Sequence, residues 1–326
     1  MVNDKPAFFV DGHVDLPYYM LNCARNTLLG DLSHGAFTIK KAKASGFKLF
    51  CTAIYCEDRF NGKDSFSYFQ EILKFVQDCF DEVIILKDAD QFKQIESGSD
   101  KLGTILLLEN ADALAEKMHY IAQLKSVGIR IVGLTHIGKN SLADGNAVRY
   151  SDGITTAGNK VIKLVEKNGL LIDIAHLHSK CFWQLLDLYN GTLITSHTGI
   201  KKACDIPRNI DLEQAREILD RGGLIGITFN PEMLTLKREA TVEDVFINLD
   251  ILVQKFGHHG VGLGSDLLGY DHAAIGLEEI SDVGNLIALM HEHGYGKEAI
   301  YDIMGNNWLK LFKNFFFTSS LFQHRP

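Results

Sequence analysis

Metal-ligating side chains recur where short apolar runs give way to polar sequence: His13 and Asp15 in Asp11-Gly-His-Val-Asp15, then Glu109, His176 and His197. His13 and Asp15 are two apart, and the period of a strand puts both side chains on one face. Taken alone, the pair describes a buried hydrogen-bonded couple equally well. Glu109 closes Gly103-Thr-Ile-Leu-Leu-Leu108, where an unpaired acid would be costly. A capping or loop role competes there with a carboxylate whose two oxygens reach two ions. His176 follows the run Leu170–Ala175, and His197 follows Thr192–Ser196. Neutral imidazoles and carboxylates are the ligand set of Zn²⁺, with Mn²⁺ or Co²⁺ as alternatives. Two such ions can activate a water and polarise a carbonyl together.

Three further residues suit a substrate. His136 ends the run Ile129–Thr135, Arg208 follows the His197 run by a short loop, and Asp266 ends Val261–Ser265. A guanidinium at Arg208 can hold a carboxylate through two bonds, although a salt bridge within the loop would also explain it. Asp266 could trade a proton with the attacking water and hold an amine. His258 and His259 precede the last run and belong to the opposite end of the fold. His291 and His293 sit in and at the end of a helical pattern, where surface roles are normal, and Asp173 reads as a buried structural acid.

Eight near-continuously apolar runs must position these groups: Phe8–Val10, Phe47–Tyr55, Gly103–Leu108, Ile129–Thr135, Leu170–Ala175, Thr192–Ser196, Leu224–Phe229 and Val261–Ser265. Continuous apolarity marks parallel strands covered on both faces. Helical stripes at Tyr68–Asp78, Ala113–Ser126, Gly158–Asn168 and Leu212–Asp220 alternate with them, several closing on Asn or Gly before the next run. Eight helix-then-strand units predict a (β/α)₈ TIM barrel. Val83–Leu86 is a ninth run, either an extra strand or part of a crossover. The chain is expected to form one barrel domain over residues 1–326 with a short tail at Ser319–Pro326.

The formal charge of −8, with no run of Lys or Arg beyond two, argues against a nucleic-acid surface. Six cysteines without a C-x-x-C pair fit a reducing compartment, and the cytoplasm is expected. No stretch has membrane-span length, and no secretory leader is read at the start. The aromatic segment Phe312–Phe317 suggests a covered surface, on the chain's own body or in a homodimer.

The ordered series Asp11-Gly-His-Val-Asp-Leu-Pro17, Leu108-Glu-Asn110, Leu134-Thr-His136, Leu171-Ile-Asp-Ile-Ala-His176, Ser196-His197, Pro207-Arg-Asn-Ile210 and Gly264-Ser-Asp266 resembles the membrane (renal) dipeptidase family of metallopeptidases, within the amidohydrolase superfamily. The resemblance spans nearly the whole chain. It implies one zinc at His13, Asp15 and Glu109 and a second at Glu109, His176 and His197. It further implies His136 on the substrate oxygen, Arg208 on the substrate carboxylate, Asp266 beside the attacking water, and tolerance for a D-residue at the substrate's C-terminal end. Two departures concern the substrate walls. Ser265-Asp-Leu-Leu-Gly269 stands where the family usually has Gly-Asp-Phe-Asp-Gly. Thr228-Phe-Asn230 stands where many relatives have Asn-Phe and an aromatic residue. A dipeptide with a free C-terminal carboxylate is the expected substrate. N-acyl amino acids or lactones are the alternative, and a non-catalytic metal-binding scaffold is a third reading.

Overall fold

The computed structural model describes residues 8–236 and 239–322. Nine parallel strands form the sheet: β1 (Phe9–Val14), β2 (Phe47–Tyr55), β3 (Val83–Ile85), β4 (Leu102–Glu109), β5 (Ile129–Gly133), β6 (Leu171–Asp173), β7 (Leu193–Thr198), β8 (Leu224–Ile227) and β9 (Val261–Leu263). Eight of them close into a barrel, because β1 pairs with both β2 and β9 while β2 pairs with β4. The ninth run is thereby settled. β3 pairs with Leu102–Thr104 at the start of β4, and β5 pairs with Leu106–Leu108 further along. It lies within the crossover from β2 to β4 and fills a length of β4 that β5 does not reach.

Alternation along the strands sorts the barrel into levels. Leu49 and Cys51 of β2, Ile105 and Leu107 of β4, Leu171 of β6 and Ile194 of β7 belong to one buried cluster. The next inward positions are Glu109, Asp173 and Ser196 on β4, β6 and β7, and Ala53 followed by Tyr55 on β2, since side chains two residues apart share a face. Polar chemistry therefore begins at one end of an apolar interior, on the C-terminal side of the strands where barrels carry their sites. The outer faces pack against the helices in a second cluster.

The other end is floored by the helix Asn307–Phe322. Trp308, Phe312 and Phe316 join the interior cluster, and Trp308 Nε1 donates to the Leu263 carbonyl at 2.8 Å. Gly12 is required here, because a Cβ would lie 2.3 Å from the Trp308 ring and 2.9 Å from two strand carbonyls. Much of the aromatic segment is thus packed on the chain's own barrel. The helix runs to Phe322, into the segment expected to be a tail. Residues 323–326 lie outside the described residues.

One expected helix is broken. Ala113–Ser126 resolves into 3₁₀ turns at Ala111–Leu114 and Met118–Gln123, followed by a single α-turn at Leu124–Val127. Its apolar stripe is still used, with Leu114, Ile121 and Leu124 buried. The helix Leu212–Asp220 forms as expected and carries a capping box from Asp211 and Gln214. Among the described residues no helix is long and apolar enough to cross a membrane. All six cysteines are free.

Candidate metal centre and substrate cavity

His13, Asp15, Glu109, His176 and His197 converge at the C-terminal mouth of the barrel. His176 Nε2 lies 2.8 Å from Glu109 Oε1 and 3.1 Å from His197 Nε2. His13 Nε2 lies 3.4 Å from both Asp15 Oδ2 and Glu109 Oε2. Glu109 therefore presents one oxygen to each side, as a carboxylate reaching two ions must.

Local backbone explains the convergence and corrects four expectations. Asp15 is not on β1. It is the N-cap of the helix Leu16–Cys23, and its side chain makes no capping bond. An aspartate at that position ordinarily spends its carboxylate on helix N–H groups; here it stays free for the mouth. His136, His176 and Asp266 are not at strand ends either, because β5 stops at Gly133, β6 at Asp173 and β9 at Leu263, three residues short of each. His176 and Asp266 adopt left-handed φ values of 64° and 62°, and Asn110, directly after Glu109, has 65°. Such conformations cost about 1–2 kcal/mol per residue and concentrate where function requires them.

The electrostatics make His176 and His197 ready for ligation, whereas His13 must give up a proton to join them. Burial drives the His176 and His197 imidazoles well below their usual range, helped in both by Arg208, so both are neutral. Burial also opposes charge on His13, but Asp15 and Glu109 outweigh it and hold its imidazolium well above the usual range. Glu109 is raised by burial but lowered more strongly by His176 and His13, and it stays ionised. Burial, then repulsion from Asp15, pushes the Asp266 carboxyl well above the usual carboxylate range.

A resident pair of ions fits these residues. Tetrahedral zinc with bonds of about 2.0–2.1 Å separates its ligand atoms by roughly 3.3 Å, close to the spacings of 2.8–3.4 Å found here. His13 Nε2 is buried without a hydrogen-bond partner. Donor atoms of His13, Asp15 and Asp266 also lie within 4.8 Å of one another, as do those of His13, Glu109 and His197 and those of Glu109, His136 and His176. Asp266 and His136, read from sequence as substrate groups, thus stand at the very edge of the ligand set.

Above the ligands opens a cavity of about 440 Å³ whose walls include Tyr18, Tyr55, Ile137, Ile206, Arg208 and Met233. Arg208 donates from one terminal nitrogen to the His197 carbonyl at 3.2 Å. Burial lowers its pKa, and Asp266 and Glu109 oppose that shift. A larger cleft of about 1040 Å³ lies beside the helix Asn307–Phe322 at the opposite end, away from all of these groups.

Sequence reasoning overlooked several supporting residues. His136 Nδ1 lies 3.2 Å from Asp58 Oδ2 and 3.3 Å from the Tyr55 hydroxyl, which leaves Nε2 for the cavity. Tyr55 was legible as the polar end of β2. Asn230 donates to Asp266 Oδ2 at 3.0 Å while its own carbonyl caps Pro231–Met233; Asn-Pro-Glu is a recognisable helix-start signal. Asp173 is buried and accepts from the Ala175 and Ser196 N–H groups, so its structural reading stands. His258 and His259 lie with Asp302, apart from this site.

A parallel barrel with clustered histidines and carboxylates at its C-terminal mouth defines the class of metal-dependent hydrolases. The chain matches the family model "Membrane dipeptidase (Peptidase family M19)" over residues 5–324 and belongs to that family, which makes it a metallopeptidase acting on dipeptides. It is 23% identical to an uncharacterised dipeptidase of Schizosaccharomyces pombe, over 93% of this chain and 80% of that one. Identity to dipeptidase 3 of Rattus norvegicus is 21%, over 96% of this chain and 66% of the rat protein. Among solved structures, a dipeptidase described as a family M19 metallopeptidase superposes with TM-score 0.83 at 20% identity, covering 94% of this chain and 98% of that one. A Rhodobacter sphaeroides metallopeptidase bound to a phosphinate mimic of L-Ala-D-Ala gives 0.84 at 19% identity, covering 94% and 99%.

Proposed function

We propose that this chain hydrolyses dipeptides bearing a free C-terminal carboxylate, with two metal ions, zinc in the first instance, held by His13, Asp15 and Glu109 and by Glu109, His176 and His197. The observation that carries the proposal is the clustering of five ligands at one barrel mouth, three of which (Asp15, Glu109 and His176) line a single cavity together with the Arg208 guanidinium and the Asp266 carboxyl. When bound, the ions supply Lewis-acid polarisation of the carbonyl and an acidified water. Arg208 holds the substrate carboxylate and so limits the substrate to one residue beyond the scissile bond. His136, its Nδ1 engaged by Asp58 and Tyr55, turns Nε2 toward the substrate oxygen, where the doubly protonated ring would donate to the developing oxyanion. Asp266, steadied by Asn230, takes the proton of the attacking water and returns it to the leaving amine.

The dipeptide mimic in the Rhodobacter structure supports acceptance of a D-residue at the C-terminal position. Six free cysteines support a cytoplasmic setting. The decisive experiment measures metal content together with turnover of L-L and L-D dipeptides, N-acyl amino acids and lactones, before and after chelation. Metal-dependent cleavage confined to dipeptides supports the proposal. Turnover of N-acyl amino acids or lactones in their place overturns it.

A further inference from the structure

Ser196 is fully buried and directly precedes a proposed ligand. Adjacent strand residues ordinarily face opposite ways, yet its hydroxyl lies 2.9 Å from Nδ1 of its own neighbour His197. The β7–β8 register is irregular between Thr195 and Thr198, which turns both side chains toward one region. The same Oγ lies 3.1 Å from Nδ1 of His13, on a strand 183 residues away.

We propose that Ser196 is a positioning residue shared by the two metal half-sites, one hydroxyl fixing the tautomer and ring rotation of both His13 and His197. A hydroxyl has two acceptor lone pairs and one proton. If both Nδ1–H groups donate to Ser196 Oγ, its lone pairs are filled and both Nε2 atoms are left bare. Its own proton is then free for the Asp173 carboxylate, which already accepts the Ser196 N–H at 2.9 Å. Both Nε2 atoms point where ligation needs them. His13 Nε2 sits between Asp15 and Glu109, and His197 Nε2 sits against His176. The opposite tautomer would place a proton on each ligating nitrogen. Outer partners of this kind orient metal-bound imidazoles, and here one atom serves a histidine from each half. His176 is the internal contrast, since its Nδ1 has no hydrogen-bond partner among the described residues.

The inference rests on the ligand assignment above and not on the substrate, so its test reads metal binding. Zinc affinity of the whole chain is measured by competition with a chromophoric chelator, and cobalt(II) loading by visible absorption. Ser196→Ala is expected to weaken both binding steps by about 10–100-fold, and Ser196→Thr, which restores a hydroxyl, to recover most of that loss at both. Affinities within threefold of wild type, or weakening of one step alone, would overturn the shared role. Equal impairment in the Thr and Ala variants would also overturn it, because cavity packing would then be the cause. Should Ser196→Ala not fold, ¹⁵N-histidine NMR of the zinc-loaded wild type decides. Nδ1–H on both His13 and His197 is expected, and Nε2–H on either refutes the proposal. A wild-type chain that binds no metal would instead sink the ligand assignment itself.

Discussion

Arg208→Met isolates the proposed carboxylate clamp. The guanidinium lines the cavity wall, is desolvated, and is tethered through the His197 carbonyl. Removing one partner of a buried charge pair costs about 2–5 kcal/mol. The acids acting on Arg208 are Asp266, Glu109 and Asp173, and none of them would attract a substrate carboxylate left without it. A loss of about 3 kcal/mol is a fall of roughly 150-fold in kcat/KM. The assay compares one dipeptide with its C-terminal amide, on wild type and variant. Wild type should favour the free acid by about two orders of magnitude, and the variant should bring that ratio close to one. Metal content is followed in parallel, because the tether reaches a ligand's own carbonyl. A variant that loses activity equally on acid and amide, or that keeps the wild-type preference, would refute the clamp.

Other perturbations reach separate parts of the argument. Asp266→Asn should lower kcat by about 10²–10⁴-fold while both metals stay bound, measured by turnover and metal analysis. Glu109→Gln should weaken both half-sites together, and a zinc titration showing one step untouched would contradict its bridging position. Trp308→Ala should destabilise by about 3–5 kcal/mol in urea unfolding, since the ring fills the barrel floor beneath Gly12. Asp144 accepts from Ser151, Asp152 and Gly153 in the loop that also donates from Asn146 to the His176 carbonyl. Burial raises the Asp144 carboxyl, but those bonds outweigh it and set its folded pKa below the usual value. A depressed folded pKa means that its stabilisation is complete above the unfolded value of about 3.9 and fades as pH falls through the folded one. Asp144→Ala should therefore unfold more easily at neutral pH, with the difference from wild type shrinking in acid.

Barrel and ligands were legible because both are written locally. Each strand lies within a short apolar run, and Glu109, His176 and His197 directly follow such runs, although β6 itself stops three residues before His176. What escaped depends on backbone detail. Ala113–Ser126 has a helical stripe, yet the chain delivers it in 3₁₀ turns that bury the same residues. Asp15 reaches the mouth as an uncommitted N-cap and not by strand parity. Ser196 stands directly before a ligand, but strand alternation sends neighbouring side chains to opposite faces, and only the irregularity in β7 brings it together with His197. Asp58 and Asn230 act across 78 and 36 residues of sequence, through contacts that no spacing encodes.

The seam between β1 and β9 has a consequence for assembly. Ser265 N–H donates to Asp11 across 254 residues, and Trp308 slides under Gly12 from further along still. His13 and Asp15 therefore leave the ribosome early, yet their surroundings are finished only after the last helix has been synthesised. Contacts so distant form slowly. Ions supplied during refolding should accelerate recovery of the native state chiefly at that final sealing, and a chain cut before Trp308 should have no lasting grip on them.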